Sequence, residues 1–212
     1  MGPKRTRMKK TSIDGLHYWG RLQADRQIDF NGFYWARPEG GVLIDPMELS
    51  GEERGLLKSL GGAKTVILTN FDHLRATAEL KSELGLEVWA PAAERERFGE
   101  AAAVIDHEYT AEGGLPAELG IDAFELHGGK SEVEMALYLG PLRAIFFGDV
   151  VRSHESGVLR LLPDPKVSDR AALVRDLRAL ETLDVQAVLL GDGDSQFYRA
   201  DQAFREFLEG LD

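Results

Sequence analysis

The chain is predicted to be an α/β protein built from two sheets packed face to face, with helices outside them. Three observations predict this. Strand-like apolar runs alternate with amphipathic stretches of helical period along the chain. Each half holds several strands followed by strand–helix units, a weak two-part symmetry that two stacked sheets satisfy. Finally, three apolar runs lead to acids: residues 66–69 to Asp72 and His73, residues 144–148 to Asp149, and residues 187–191 to Asp192. Sites collect where rigid strands end and loops begin, so the three ends predict one shared site at one edge of the sandwich.

The elements follow in order. Residues 16–21 and 28–35 are rich in aromatics and read as strands. Pro38, Glu39, Gly40 and Gly41 form a turn before a short buried strand at 42–46. Residues 50–60 read as an amphipathic helix, with Ser50 as N-cap and Glu53 as its capping-box partner, ended by Gly61 and Gly62. A strand at 66–68, a helix at 74–84 ended by Gly85, and a strand at 88–91 repeat the logic. Residues 92–103 are expected to be helical and 104–122 irregular or short strand pieces. The middle turns β-rich, with strands at 124–126, 134–139 and 143–147, and a further strand at 159–162 before Pro163 and Pro165. A helix at 168–183, a last buried strand at 185–190 and a closing helix at 200–211 complete the chain.

Composition narrows the function classes. The 212 residues suffice for one well-buried core, so residues 13–212 are expected to form a single domain. Residues 1–12 are basic and expected to be disordered, with Lys4, Arg5, Arg7, Lys9 and Lys10 among them. The whole chain carries 25 basic against 36 acidic residues, and setting those five aside leaves 20 against 36. Such a body repels a nucleic-acid backbone, so nucleic-acid binding is not expected. No apolar run has membrane-spanning length and no secretory signal is visible, so the expected setting is a soluble cytoplasmic protein. With no cysteine, any metal must be held by His, Asp, Glu or carbonyl oxygen.

The motif order resembles the metallo-β-lactamase superfamily from about Gly32 to Asp194. Gly41-Val42-Leu43-Ile44-Asp45-Pro46 resembles the strand that ends in that family's aspartate and turn. Residues 66–73 resemble its Thr-His-x-His-x-Asp-His segment, and residues 126–131 its Pro-Gly-His turn. Phe147-Gly148-Asp149 resembles the Gly-Asp that carries the bridging aspartate, and Gly191-Asp192-Gly193 the final Gly-His-Gly. The resemblance implies a four-layered αββα sandwich and a hydrolase site. Its departures fall on the ligands. The His-x-His pair is missing, Lys130 stands at the turn histidine, and Asp192 stands at the last histidine. The resemblance therefore implies that the first metal site is lost, and that at most one divalent ion (Zn, Fe or Mn) is held by Asp72, His73, Asp149 and Asp192.

Two expectations follow. In one, the protein hydrolyses a small ester- or thioester-type substrate with Asp72, His73, Lys130 and Asp149 as the catalytic set, Lys130 stabilising the oxyanion. In the other no metal binds, Lys130 pairs with the acids, and the chain is a catalytically silent module that binds a small molecule or a protein. A lysine ammonium has no lone pair for a metal and repels one, which supports the second. Asn70, Arg75, His127, Arg152 and His154 are substrate-pocket candidates. Their plainer roles are a backbone bond for Asn70 or His127, a surface ion pair for Arg75, and a solvated loop for Arg152 and His154. Asp45 is read as a structural acid at a turn, and His17 and His107 as structural. A homodimer is compatible with all of this.

Overall fold

The computed structural model describes residues 5–211, with side chains from residue 7 onward. Strands β1 (Arg5–Lys10), β2 (Leu16–Gln23), β3 (Ile28–Trp35), β4 (Gly41–Ile44), β5 (Ala63–Ile67), β6 (Glu87–Pro91) and β7 (His107–Tyr109) form the first sheet in chain order. β1 to β4 pair antiparallel and β4 to β7 parallel. Helix α1 (Gly51–Ser59) carries the chain from β4 to β5, and α2 (Thr77–Leu84) from β5 to β6. Parallel neighbours need such crossovers.

The second sheet is built from β8 (Ile121–His127), β9 (Val133–Leu139) and β10 (Ala144–Phe147). A small hairpin follows, β11 (Val151–Glu155) with β12 (Val158–Leu161), and α3 (Arg170–Arg178) leads to β13 (Ala187–Leu190). β13 lies beside β10 and parallel to it, giving the order β13, β10, β9, β8. Helix α4 (Ala200–Glu209) closes the chain.

Strand alternation sorts the side chains into layers. Val42 and Ile44 of β4 meet Leu137, Leu139, Phe146 and Leu189 between the sheets. Leu43, Val66 and Val88 face outward onto Leu57 of α1 and Leu80 of α2. Ile145, Phe147, Val188 and Leu190 face the other way, onto Leu173 and Leu177 of α3 and Phe204 and Phe207 of α4. The result is helix, sheet, sheet, helix. Phe33 and Phe146 meet edge-on across the middle at 5.4 Å. Each fully buried side chain of this size contributes roughly 1.5–3 kcal/mol.

Several expectations need correction. Residues 5–10 are not disordered: they form β1, where Met8 is buried and its amide donates to Glu53 Oε1 at 3.0 Å. Among the described basic side chains, Arg7 lies 3.4 Å from Glu52. Lys10 pairs with Asp14 at 2.8 Å, and Lys9 lies over the Tyr18 ring. Residues 1–4 lie outside the described residues. The stretch Ala92–Val104 is 3₁₀ with a break at Gly99, whose φ is 54°. The helix expected at 74–84 splits into a 3₁₀ turn, Phe71–Leu74, and α2. Arg152 and His154, expected on a loop, lie on strand β11. The Ser50–Glu53 capping box is present as read.

Candidate functional site

The site lies where the parallel pairs β4–β5 and β10–β13 run out. Asp45 directly follows β4, Thr69 and Asn70 follow β5, Asp149 follows β10, and Asp192 follows β13. The two sheets are joined here by backbone. The Asn31 amide donates to Gly191 O at 2.8 Å, Gly193 N to Asp29 O at 2.8 Å, and Met135 N to Thr69 O at 3.1 Å. Space is short at the join. A Cβ on Gly148 would lie 2.5 Å from Thr69 Oγ1, and one on Gly191 would lie 2.8 Å from Gly148 O and 3.1 Å from His73 Cε1.

Asp45 organises the first half of the site. It is fully buried and accepts from Thr69 N at 2.9 Å, from Thr69 Oγ1 at 2.5 Å, and from His73 Nδ1 at 2.6 Å. This fixes the His73 ring with Nε2 turned toward the far acids, where Nε2 lies 3.5 Å from Asp149 Oδ1 and 2.9 Å from Arg75 Nη2. Arg75 is anchored from behind, its Nη1 donating to the carbonyls of Asn31 at 2.8 Å and Asp45 at 3.2 Å. Its Nη2 is 3.9 Å from Asp192 Oδ1. Arg152 reaches Asp192 Oδ2 at 3.4 Å from the other side. Lys130 donates to Asp72 Oδ2 and lies 3.4 Å from Asp149 Oδ2.

The ionisation of these groups follows from their neighbours. Burial and the Arg75 charge push the His73 pKa down, but Asp45 and the bond to Asp149 outweigh them and raise it to about 9. The 2.9 Å approach of Arg75 suits a neutral ring whose Nε2 accepts, whereas the flanking carboxylates suit a protonated one. In either state the Nε2 lone pair is engaged. Burial opposes the charge on Asp149, yet the hydrogen bond and charge of His73, with Lys130 and Arg75 beyond, hold its carboxyl well below the usual range. Burial raises Asp192, with the Asp149 charge adding to it. Beneath them Glu134, fully enclosed, accepts from the amides of Asp149 at 2.8 Å and Val150 at 3.0 Å. Burial and the Asp149 charge push its pKa up to about 8.

The described residues gather His73, Asp149 and Asp192, whose ligand-capable atoms lie within 4.8 Å of one another. A model of the metallo-β-lactamase superfamily matches residues 8–211. The chain belongs to the metallo-β-lactamase superfamily. Solved metallo-β-lactamases share its fold. DIM-1 is 15% identical with a TM-score of 0.74, over 99% of this chain and 100% of that one. The enzyme from Hirschia baltica is 15% identical with a TM-score of 0.74, over 100% and 98%. That from Pontibacter korlensis is 17% identical with a TM-score of 0.73, over 98% and 99%. No curated protein matches the chain.

Members of the metallo-β-lactamase superfamily usually bind zinc, so the fit of these residues to a metal matters. One imidazole and two carboxylates are a workable donor set in kind. Their surroundings are not. The imidazole's free nitrogen carries a proton or faces Arg75, and three basic side chains border the acids. As arranged, the residues do not fit a divalent ion.

The structure treats the residues expected in the site unevenly. It brings together His73, Asp149, Asp192, Lys130, Arg75 and Arg152. Asp72, expected as a ligand, lies outside the group of His73, Asp149 and Asp192; its side chain is a third exposed and pairs with Lys130. His127 does not reach the cluster, because Asp176 of α3 holds its Nδ1 at 2.7 Å. His154 is exposed on β11. Asn70, expected either to contact substrate or to bond backbone, is buried with both side-chain amide atoms lacking a hydrogen-bond partner among the described residues. Arg75 is no surface residue but an interior one, 8% exposed. His17 is buried with Nδ1 3.3 Å from Gly15 O, and His107 stacks on Trp89. Reading the sequence missed Glu134 and Asn31. An acid between Val133 and Met135 in a buried strand was the available signal for the first.

No helix among the described residues is long and apolar enough to cross a membrane.

Proposed function

We propose that this chain is a metal-free member of the metallo-β-lactamase superfamily that uses its cleft to bind a small polar molecule. The observation that carries this reading is the pairing of the motif acids with the chain's own cations. Lys130 bridges Asp72 and Asp149, Arg75 and Arg152 flank Asp192, and His73 lies between Asp45 and Asp149. With His73 protonated, Asp45, Asp72, Asp149 and Asp192 are balanced by Lys130, Arg75, Arg152 and His73. A buried carboxylate without such a partner is costly, so a set that balances internally has no need of an added ion. The amide of Asn70 adjoins this cluster, its Nδ2 3.0 Å from the Cβ position of Gly148, buried and without a hydrogen-bond partner among the described residues.

The second reading is a one-metal hydrolase of a small ester or thioester, favoured by the donor group of His73, Asp149 and Asp192. Elemental analysis decides between them. Protein purified without chelator and dialysed against Zn²⁺, Mn²⁺ or Fe²⁺ is expected to retain no metal that depends on Asp149. Retention of about one equivalent, lost in Asp149→Ala, sinks the metal-free reading. Chelator-sensitive turnover of ester and thioester substrates would point the same way.

A further inference from the structure

Arg75 sits on a backbone that side chains other than hydrogen rarely adopt, with φ 39° and ψ −117°. Glycine enters this region without a Cβ penalty. An arginine held there is held by its side chain, and here both terminal nitrogens of the guanidinium are engaged. Nη1 bonds the carbonyls of Asn31 and Asp45, Nη2 faces His73 and Asp192, and the guanidinium carbon lies 5.3 Å from the centre of the Phe30 ring. This is a fixed cation, not a swinging one.

The fixed cation stands among the atoms that would bind a metal. His73 Nε2 is 2.9 Å from Nη2, and Asp192 Oδ1 is 3.9 Å from it. It serves the two unequally. At 3.9 Å the contact with Asp192 is electrostatic only, and Oδ1 is buried with no hydrogen bond among the described residues. An orphaned carboxylate oxygen beside an imidazole nitrogen and a second carboxylate is the chemistry a divalent ion satisfies.

We propose that Arg75 is a built-in cation that keeps this site closed to divalent metal, and that His73, Asp149 and Asp192 form a latent one-metal site uncovered when its side chain is removed. The inference rests on the metal-free reading above. Arg75→Gly suits the test because it deletes the guanidinium and accepts the same backbone conformation. It also removes the group that lies 2.9 Å from His73 Nε2. Lys130 remains with Asp72 and does not occupy the position beside Nε2.

The experiment measures Zn²⁺ and Mn²⁺ retained by the full chain after dialysis, by elemental analysis, with titration calorimetry as a second readout. Wild type and Arg75→Lys are expected to retain no metal at this site. Arg75→Gly is expected to hold about one equivalent, and Arg75→Gly/Asp192→Asn to lose it. Arg75→Ala repeats the measurement should the glycine variant fail to fold. A folded Arg75→Gly or Arg75→Ala protein that holds no metal overturns the inference and leaves the metal-free reading standing. So does an Arg75→Lys protein that binds as well as Arg75→Gly, because charge is then not what excludes the ion. Wild type that holds an equivalent removed by Asp149→Asn overturns the metal-free reading itself.

Discussion

His73 Nε2 and Arg75 Nη2 lie 2.9 Å apart on the same short turn, two residues from each other in the chain. The histidine is aimed by Asp45 from one side of the cleft, and the arginine by the carbonyls of Asn31 and Asp45. Neither group is free to turn away, so the energetics of the turn can be taken apart by substitution.

Arg75→Ala removes a buried cation from Asp192 and keeps the strained backbone. It is expected to destabilise the fold by about 3 kcal/mol in urea unfolding at pH 7, the cost of breaking a buried charge pair. Arg75→Gly loses the same contacts but relieves the backbone, and should be the more stable of the two by about 1 kcal/mol. Equal stabilities for the two variants would mean that the positive φ stores no strain.

Asp45 accepts three hydrogen bonds from Thr69 and His73. Asp45→Ala strands those donors in the interior and should cost on the order of 3–5 kcal/mol. Asp45→Asn keeps the shape and one acceptor oxygen, so its cost should be clearly smaller. Thermal unfolding of the pair, monitored by circular dichroism, orders them.

The pH dependence has a definite sign. The His73 pKa is raised from 6.5 to about 9. Its contribution is therefore complete below about pH 6.5 and fades as pH rises through about 9, by on the order of a few kcal/mol. Asp149 acts oppositely: its pKa is lowered, so its contribution is present above its ordinary value of 3.8 and is lost as pH falls through the folded value. Chemical denaturation between pH 5 and 10 should show stability falling across the upper part of that range. In Asp45→Asn, which weakens the main support of the imidazolium, the fall should begin at lower pH.

Glu134 is an acid with its pKa pushed up to about 8, so folding favours its protonated form. Its contribution is present below its ordinary value of 4.5 and is lost as pH rises toward 8. Glu134→Gln retains an acceptor oxygen for the amides of Asp149 and Val150 without acquiring charge. The variant should match wild type near pH 5 and exceed it above pH 8. A variant that is less stable across the whole range would show that Glu134 is ionised in the folded protein.

The first strand offers a separate check. Glu53 caps α1, pairs with buried Arg21 at 2.7 Å, and accepts the Met8 amide at 3.0 Å. Glu53→Ala should cost about 3 kcal/mol and raise hydrogen exchange in β1 above that in β2. Exchange in β1 as fast in wild type as in the variant would mean that the Glu53 contact does not hold the strand.

Most of the architecture was legible in the sequence because it is written in apolar period and in punctuation. Gly85 ends α2 in the left-handed conformation and Ser50 caps α1, as their residue types imply. The acids at the strand ends were legible for the same reason. What was not legible depended on three-dimensional surroundings. The strand β1 rests on its pairing with β2 and on the Met8 amide's bond to Glu53, 45 residues away. Whether a basic residue after an Asp-His pair faces solvent or the interior depends on one backbone angle at Arg75, which its residue type argues against. Asp72 and His73 are adjacent, yet the 3₁₀ turn sends one to the surface and the other inside. The burial of Glu134 was hidden by an ordinary strand pattern.

The join between β3 and the segment after β13 has a consequence for how the molecule comes into being. Asn31 Nδ2 donates to the carbonyls of Leu190 at 3.0 Å and Gly193 at 2.6 Å, across 159 and 162 residues of chain. Closing a loop of that length is entropically slow to be rewarded, so such contacts belong to the late stage of folding. During synthesis the first sheet can assemble while the ribosome still holds β13. Asp192 is then made last, after Asp45, His73, Arg75 and Asp149, so the group of buried acids is complete only once β13 has been added.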